Sequence, residues 1–250
     1  MIRIGFKRIL SPTAINTYLD CPHKFYLRYI KRLKTKPSIY LIRGNVVHRV
    51  LARFNQHSPQ TGHSLALVQM QRTLLRDLAQ EWQRSLPSLQ ALGLSEEQLR
   101  QFELESQLML INFAAWKQRN PTLLVTRYEA RLVSKKLGLL GIVDAIHDIG
   151  GEPIVVDYKT SRRPEITPEI ERQAAIYALL YGEFFGRPLE EVWIHFLASE
   201  GDPEAIRVDD ALLHYARTLV ESTHQNTISE QEEDYPCTCG GRCERDFINT

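Results

Sequence analysis

Two short runs in the middle of the chain set acids and a lysine among apolar residues. Gly141-Ile-Val-Asp144 comes first, and Ile154-Val-Val-Asp157-Tyr-Lys159-Thr160 follows on the next apolar segment. With the strand period of two, Leu140, Ile142, Asp144 and Ile146 share one face, so Asp144 interrupts an apolar row. Asp157 and Lys159 likewise share a face, with Ile154, Val156 and Tyr158 on the other. A carboxylate on an inward row costs on the order of several kcal/mol unless a partner or a metal ion compensates it. The plainer reading is an Asp157–Lys159 pair at a strand end and a turn capped by Asp144. Against it stands the next helical stripe, Ile170, Gln173, Tyr177, Leu180 and Phe184, which should pack on the sheet and aim two more polar groups where the acids point.

A second constellation is made of sulfur. Of the four cysteines, Cys21 stands alone near the start, and Cys237, Cys239 and Cys243 cluster near the end. In a reducing compartment two disulfides are the weaker reading. Four thiolates brought together suit a tetrahedral Zn²⁺ or an iron–sulfur cluster, in a structural role because no cysteine lies near the Asp–Lys run. A third feature is basic and aromatic. Lys24, Arg28, Lys31, Arg32, Lys34, Lys36, Arg43, Arg49 and Arg53 are interleaved with Phe25, Tyr26 and Tyr29. This is either a solvated basic face or a groove for nucleic acid, with phosphate contacts from Lys24, Arg28 and Arg43 and base stacking on Phe25, Tyr26 or Tyr29.

The elements that must position these groups follow from the hydrophobic period. Ser11-Pro12 reads as a cap and first helical turn, so a helix begins the chain, and the stretch from there to about Arg32 is rich in aromatic and basic residues. Helical stripes follow through Val47, Val50, Leu51 and Phe54, through Leu67, Met70, Leu74, Leu78 and Trp82, and through Leu99, Phe102, Met109, Phe113 and Trp116. After Asn120-Pro121 the period changes to two, predicting strands at 123–134, 137–148 and 153–158, three consecutive strands expected to form a meander. A helix from Thr167-Pro168 to about Phe185, a strand at 191–198 and a helix from about Asp209 complete the pattern, and the polar run Ser222–Asp234 is the one linker-like stretch.

The 250 residues, 43% hydrophobic and 24% charged, are enough for a real core. The expected class is α/β, a central mixed sheet flanked by helices with a helical lobe in the N-terminal half. One domain over 1–250 is expected, mainly helical over 11–120, with a sheet-bearing core over 121–200 and a cysteine cluster at 235–243 closing on Cys21. No apolar run is long enough to span a membrane and no signal-like stretch opens the chain, so a cytoplasmic protein is the default. The net charge of +1 decides nothing about nucleic acid, because binding needs a local patch. No Walker-type loop occurs, so any ATP-driven unwinding must come from a separate partner.

Taken as an ordered set, Ser-Pro-Thr-x-Ile and Cys-Pro-x-Lys-Phe at 11–25, Gly44-x-x-x-His48, Gly141-x-x-Asp144, Asp157-Tyr-Lys159-Thr160 and Gln173-x-x-x-Tyr177 resemble the RecB-like PD-(D/E)XK nucleases. That family includes the nuclease domains of helicase-nucleases and the exonucleases of CRISPR adaptation. The resemblance implies a restriction-endonuclease-like core that cleaves DNA, as an exonuclease on single-stranded ends, in repair, recombination or CRISPR adaptation. It implies Mg²⁺ or Mn²⁺ held by His48, Asp144, Asp157 and the Tyr158 carbonyl, with Lys159 acting on the attacking water or the phosphate. Gln173 and Tyr177 would position that lysine or the DNA, and Glu129 on the preceding strand joins the site. A helicase or CRISPR adaptation subunit is an expected partner; the competing reading is a non-catalytic nucleic-acid-binding scaffold of a helicase-nuclease. The resemblance also implies a 4Fe-4S cluster on Cys21, Cys237, Cys239 and Cys243. The trio here runs Cys-x-Cys-x3-Cys, shorter at both gaps than the family's usual Cys-x2-Cys-x5-Cys, so structural Zn²⁺ stays beside it as the alternative.

Overall fold

The structure, a computed structural model, describes residues 6–57 and 66–248; the first five residues of the segment read for a signal peptide lie outside this range. In chain order come α1 (Pro12–Asp20), α2 (Pro22–Phe25) running into a π-helical turn (Tyr26–Ile30), α3 (Ile39–His57), α4 (Leu67–Gln90) and α5 (Glu96–Arg119). Then follow β1 (Leu124–Ser134), β2 (Leu139–Ile149), β3 (Glu152–Lys159), α6 (Pro168–Phe185), β4 (Glu191–Phe196), β5 (Glu204–Arg207) and α7 (Asp210–Asn226). The helix starts are chemically explicit. Ser11, Thr167 and Asp209 accept a hydrogen bond from a backbone N–H of the first turn, and Ser95 with Gln98 closes a capping box.

The helix that begins the chain stops at Cys21. Proline at 22 disfavours helical backbone at the residue before it, and Cys21 is extended at φ −159°, ψ 113°. The edge strand β5 was not anticipated: it is short, mostly exposed and rich in charge, so it lacks an apolar alternation to read. Nor is 222–234 a linker. Helix α7 runs through its first half with Thr223 and Thr227 buried, and Tyr235 just beyond is 1% exposed with its hydroxyl donating to the Ser229 carbonyl.

The sheet order is β1-β2-β3-β4-β5, with β3 and β4 parallel and every other pair antiparallel. Helix α6 is the crossover that the parallel pair requires. Each face carries its own core. On one, α1, α2, α6 and α7 close over Leu139, Val143, Ile146, Val155, Val192 and Ile194; on the other, α3, α4 and α5 close over Ala145, Val156, Tyr158 and Leu197. The N-terminal helices therefore pack on both faces of the sheet, with α3, α4 and α5 forming the layer on one of them. Trp116 of α5 meets two buried histidines, His147 at 5.9 Å and His195 at 4.6 Å between ring centroids. Burial holds their pKa values down to about 3 and about 4, so both rings pack here without charge. Among the described residues no helix is long and apolar enough to cross a membrane.

Strand β2 changes phase at Asp144. Leu139 and Val143 face α6 and so does Ile146, an odd step, while Ala145 joins the opposite core and Ile142 is 46% exposed. The expected row of Leu140, Ile142, Asp144 and Ile146 on one inward face is thus replaced by a local distortion, matched across the ladder by Glu129 at φ +43°. An ordinary strand does not admit such a residue, because positive φ is strained for anything but glycine.

Gly141 is where α6 comes closest to β2. A Cβ there would stand 2.8 Å from Leu180 Cδ1 and 3.1 Å from Tyr177 Cε1. Gly141→Ala should therefore destabilise the protein by about 1–3 kcal/mol through overpacking. Gly182→Ala on the same helix, whose Cβ would meet only the Arg187 carbonyl at 3.9 Å, should stabilise it by about 0.5–1 kcal/mol. Urea unfolding of the two variants checks the contrast; equal effects would contradict the close approach.

Candidate active site

Strand β2 pairs with β3 only from Ala145 onward, opposite Val156. Before that point β2 continues with β1 and, at Leu139, bridges to Leu10, so β2 and β3 fork, and the fork lies at Asp144 and Asp157. Asp144 bridges it: Oδ2 accepts the Tyr158 backbone N–H at 2.7 Å. Its other oxygen, Oδ1, lies 2.8 Å from His48 Nδ1. His48 arrives on α3, which is docked on the end of β3. Gly44, one turn earlier, leaves room for Thr160, since a Cβ there would already touch Thr160 Oγ1 at 3.4 Å.

Lys159 points into the fork from the other side. Its Nζ lies 2.6 Å from Asp157 Oδ2 and donates to Gln173 Oε1 at 2.7 Å. The Gln173 amide donates to Tyr177 Oη at 2.9 Å and, at 3.4 Å, to Asp157 Oδ1; Tyr177 in turn donates to the Ile142 carbonyl at 2.9 Å. A chain of hydrogen bonds therefore runs from the lysine through α6 to the unpaired arm of β2. The stripe of α6 read from sequence puts Gln173 and Tyr177 beside the acids.

Glu129, His48 and Asp144 each present a ligand atom within 4.8 Å of the others. Asp157 stands apart from this trio, buried and turned to Lys159 and Gln173. The backbone kink that places Glu129 with His48 and Asp144 has no signature in a single sequence. Tyr158 offers its backbone to the fork and buries its ring in the opposite core. The donor set is hard, oxygen-rich and includes one imidazole, which suits Mg²⁺ or Mn²⁺.

Crowded charge shifts these groups. Burial pushes the Asp157 carboxyl up, with Lys159 opposing and Asp144 adding to the rise. Glu129 is raised by loss of water and then by the Asp144 charge. Tyr177 is held well above the usual tyrosine range by burial and by the Asp157 and Asp144 charges. For His48, burial lowers the pKa, but the charge and hydrogen bond of Asp144, helped by Asp157 and Glu129, more than offset this and leave it raised.

The proposed DNA-binding residues are not gathered at the fork. Arg43 is 2% exposed: its guanidinium is spent on Glu105 at 2.7 Å and on the Thr160 carbonyl at 2.8 Å, so it ties α3 to the end of β3 rather than facing a ligand. Lys24 is already paired with Asp246 at 2.7 Å and Asp20 at 3.8 Å, and Arg28 stacks over Tyr29 at 5.3 Å. Phe25 and Tyr26 lie in the core and cannot stack on bases. A different aromatic and basic cluster adjoins the fork. Tyr40 is 59% exposed and packs edge-on against Phe102, beside Arg162, which follows Thr160 and is held by Glu105. At the far side of the molecule the structure does assemble Cys21, Cys237, Cys239 and Cys243, with their sulfurs within 4.8 Å of one another and no disulfide between them.

The His48–Asp144 contact predicts a pH dependence. Because the folded-state pKa of His48 is raised above its unfolded value, the imidazolium stabilises the metal-free protein fully below about pH 6.5, and this contribution is lost as pH rises through the folded value. An NMR titration of the His48 ring should give a raised pKa in the metal-free wild type and one below the ordinary value in Asp144→Asn, where burial remains and the charge is gone. Identical titrations in both proteins would contradict the pairing.

Comparison with known proteins agrees with this geometry. The model of the PD-(D/E)XK nuclease superfamily matches residues 9–247. Among solved structures the chain is similar to a protein of Eubacterium rectale provisionally named an exonuclease, at a TM-score of 0.61 and 14% identity, over 98% of this chain and 90% of that one. At that identity the likeness speaks for the fold, a restriction-endonuclease-like sheet and its helices. A search of curated proteins finds no match. With a family model matched over nearly its whole length, the chain belongs to the PD-(D/E)XK nuclease superfamily.

Proposed function

We propose that the chain is a metal-dependent deoxyribonuclease that shortens single-stranded DNA from its ends. The observation that carries this reading is the fork itself, where Asp144, Asp157 and Lys159 meet His48, Glu129, Gln173 and Tyr177 in one hydrogen-bonded array. His48, Glu129 and Asp144, with Asp157 and the Tyr158 carbonyl beside them, would hold Mg²⁺ or Mn²⁺. Such an ion, when bound, polarises a phosphate oxygen and makes a water more acidic.

The side chains supply the rest. An ammonium has three N–H donors, and Lys159 gives two directions to Asp157 and Gln173. The third is left for the attacking water or for a non-bridging oxygen as negative charge builds on the phosphate. Asp157 keeps the lysine aimed, and Gln173 and Tyr177 fix both from α6. The reaction is hydrolysis: water forms a new bond to phosphorus, the bond to the leaving sugar oxygen breaks, and that oxygen takes up a proton.

Tyr40, Phe102 and Arg162 support a single-stranded substrate. Bases splayed from an unpaired strand can stack on an exposed ring or a guanidinium without regard to sequence, and Arg162 of this cluster lies two residues past Thr160. Arg28 and Tyr29 stand as a second, more distant contact for the strand.

End-labelled single-stranded and duplex DNA, incubated with Mg²⁺, with Mn²⁺ and with EDTA, tests the reading. The wild type should shorten single strands only with metal. Asp144→Ala, Asp157→Ala and Lys159→Ala should each lose activity by about 10²–10³-fold or more while still binding DNA. DNA binding without cleavage under every metal would instead favour a scaffold role.

A further inference from the structure

The cysteine site lies apart from the nuclease residues and its geometry can be read independently of them. Four segments build it. Cys21 is the extended residue between α1 and α2, 0% exposed, and Thr238 Oγ1 donates to the Asp20 carbonyl beside it. Residues 34–36 pair with the last described segment: Lys36 N–H donates to the Asp246 carbonyl at 2.7 Å and Ile248 N–H to the Lys34 carbonyl at 2.9 Å. Between these anchors the chain turns tightly through Gly240 and Gly241, at φ +64° and +78°, conformations that glycine adopts without strain.

The spacing of the sulfurs is the informative quantity. Cys237 Sγ lies 3.6 Å from Cys239 Sγ and 3.7 Å from Cys243 Sγ, and all four sulfurs lie within 4.8 Å of one another. A zinc ion with bonds of about 2.3 Å to four thiolates sets them at the corners of a tetrahedron with edges of about 3.8 Å. A cubane places an iron of its own under each thiolate, so its four thiolates surround the whole metal–sulfide core and stand much further apart. The short Cys-x-Cys-x3-Cys gaps fit the smaller tetrahedron.

The surroundings are suited to the surplus negative charge of a tetrathiolate. Gly241 N–H donates to Cys237 Sγ at 3.3 Å and Cys243 N–H to Cys239 Sγ at 3.1 Å, N–H to sulfur contacts that orient and tune the ligands. His23 Nδ1 lies 3.4 Å from Cys243 Sγ, while its Nε2 lies 3.2 Å from Glu232, which in turn holds Lys31 at 2.6 Å. We infer that Cys21, Cys237, Cys239 and Cys243 bind a single zinc ion as a tetrahedral tetrathiolate, and that the 4Fe-4S cluster implied by the resemblance does not fit this site.

The test uses the full chain purified without air. Elemental analysis should find one zinc per chain, no acid-labile sulfide and no brown absorption. After chelator stripping, one Co²⁺ should bind with the intense visible bands of a tetrahedral thiolate site. Cys237→Ala, at the most exposed of the four cysteines, should weaken Co²⁺ binding by at least about tenfold while leaving the fold intact by circular dichroism. Iron with sulfide, iron alone, or a chain that neither carries zinc nor takes up Co²⁺ would overturn the assignment, as would unchanged Co²⁺ affinity in the variant. None of these outcomes depends on DNA cleavage.

Discussion

The hydrogen bond from the Tyr158 backbone to the Asp144 carboxylate is the contact on which the rest of the site depends. It stands where the β2–β3 ladder ends, so a side chain takes over from the backbone in holding the two strands together. Both arms of the fork then acquire a purpose. The arm of β2 gives Tyr177 a carbonyl to bond, and the end of β3 presents Asp157 and Lys159 toward α6. Because Asp144 spends one oxygen on structure and turns the other to His48, the position of the strands and the position of the charge are one arrangement.

That arrangement concentrates like charge, and the pKa directions record the strain. Asp157 and Glu129 are both raised, each first by loss of water and with Asp144 contributing, while the positive groups His48 and Lys159 stand against them. A cluster of this kind is costly without a compensating cation, which is the usual mark of a site kept for chemistry rather than stability. The kinked backbone at Glu129 points the same way, since a non-glycine residue at positive φ persists only where its surroundings hold it. Elsewhere the four cysteines gather the junction of α1 and α2 and the C-terminal segment around one point, so that the two ends of the chain are brought together there.

Much of this was legible from residue types. Periodicity located the five long helices and four of the strands, and the Asp157-x-Lys159 spacing with the α6 stripe placed Gln173 and Tyr177 correctly beside the acids. What escaped was physical in each case. The phase change at Asp144 depends on a backbone distortion shared with Glu129 across the ladder, a tertiary feature that leaves no local pattern. Arg43 looked like a surface cation because a charged residue is buried only when its partners are present, and Glu105 and Thr160 are far from it in sequence. Phe25 and Tyr26 sit where α2 passes into a π-helical turn, and both face the core.

Manganese binding, followed by electron paramagnetic resonance on the metal-free chain, tests the central claim that the fork acid Asp144 is both strand splice and ion ligand. In Asp144→Asn the side-chain carbonyl can still accept the Tyr158 N–H, so the strands should stay joined and the unfolding midpoint should hold. The account predicts that the wild type takes up Mn²⁺ and that the variant binds it at least about tenfold more weakly. Equal affinity in the two proteins would contradict it, leaving Asp144 as a structural residue and the ion, if one binds, to other groups.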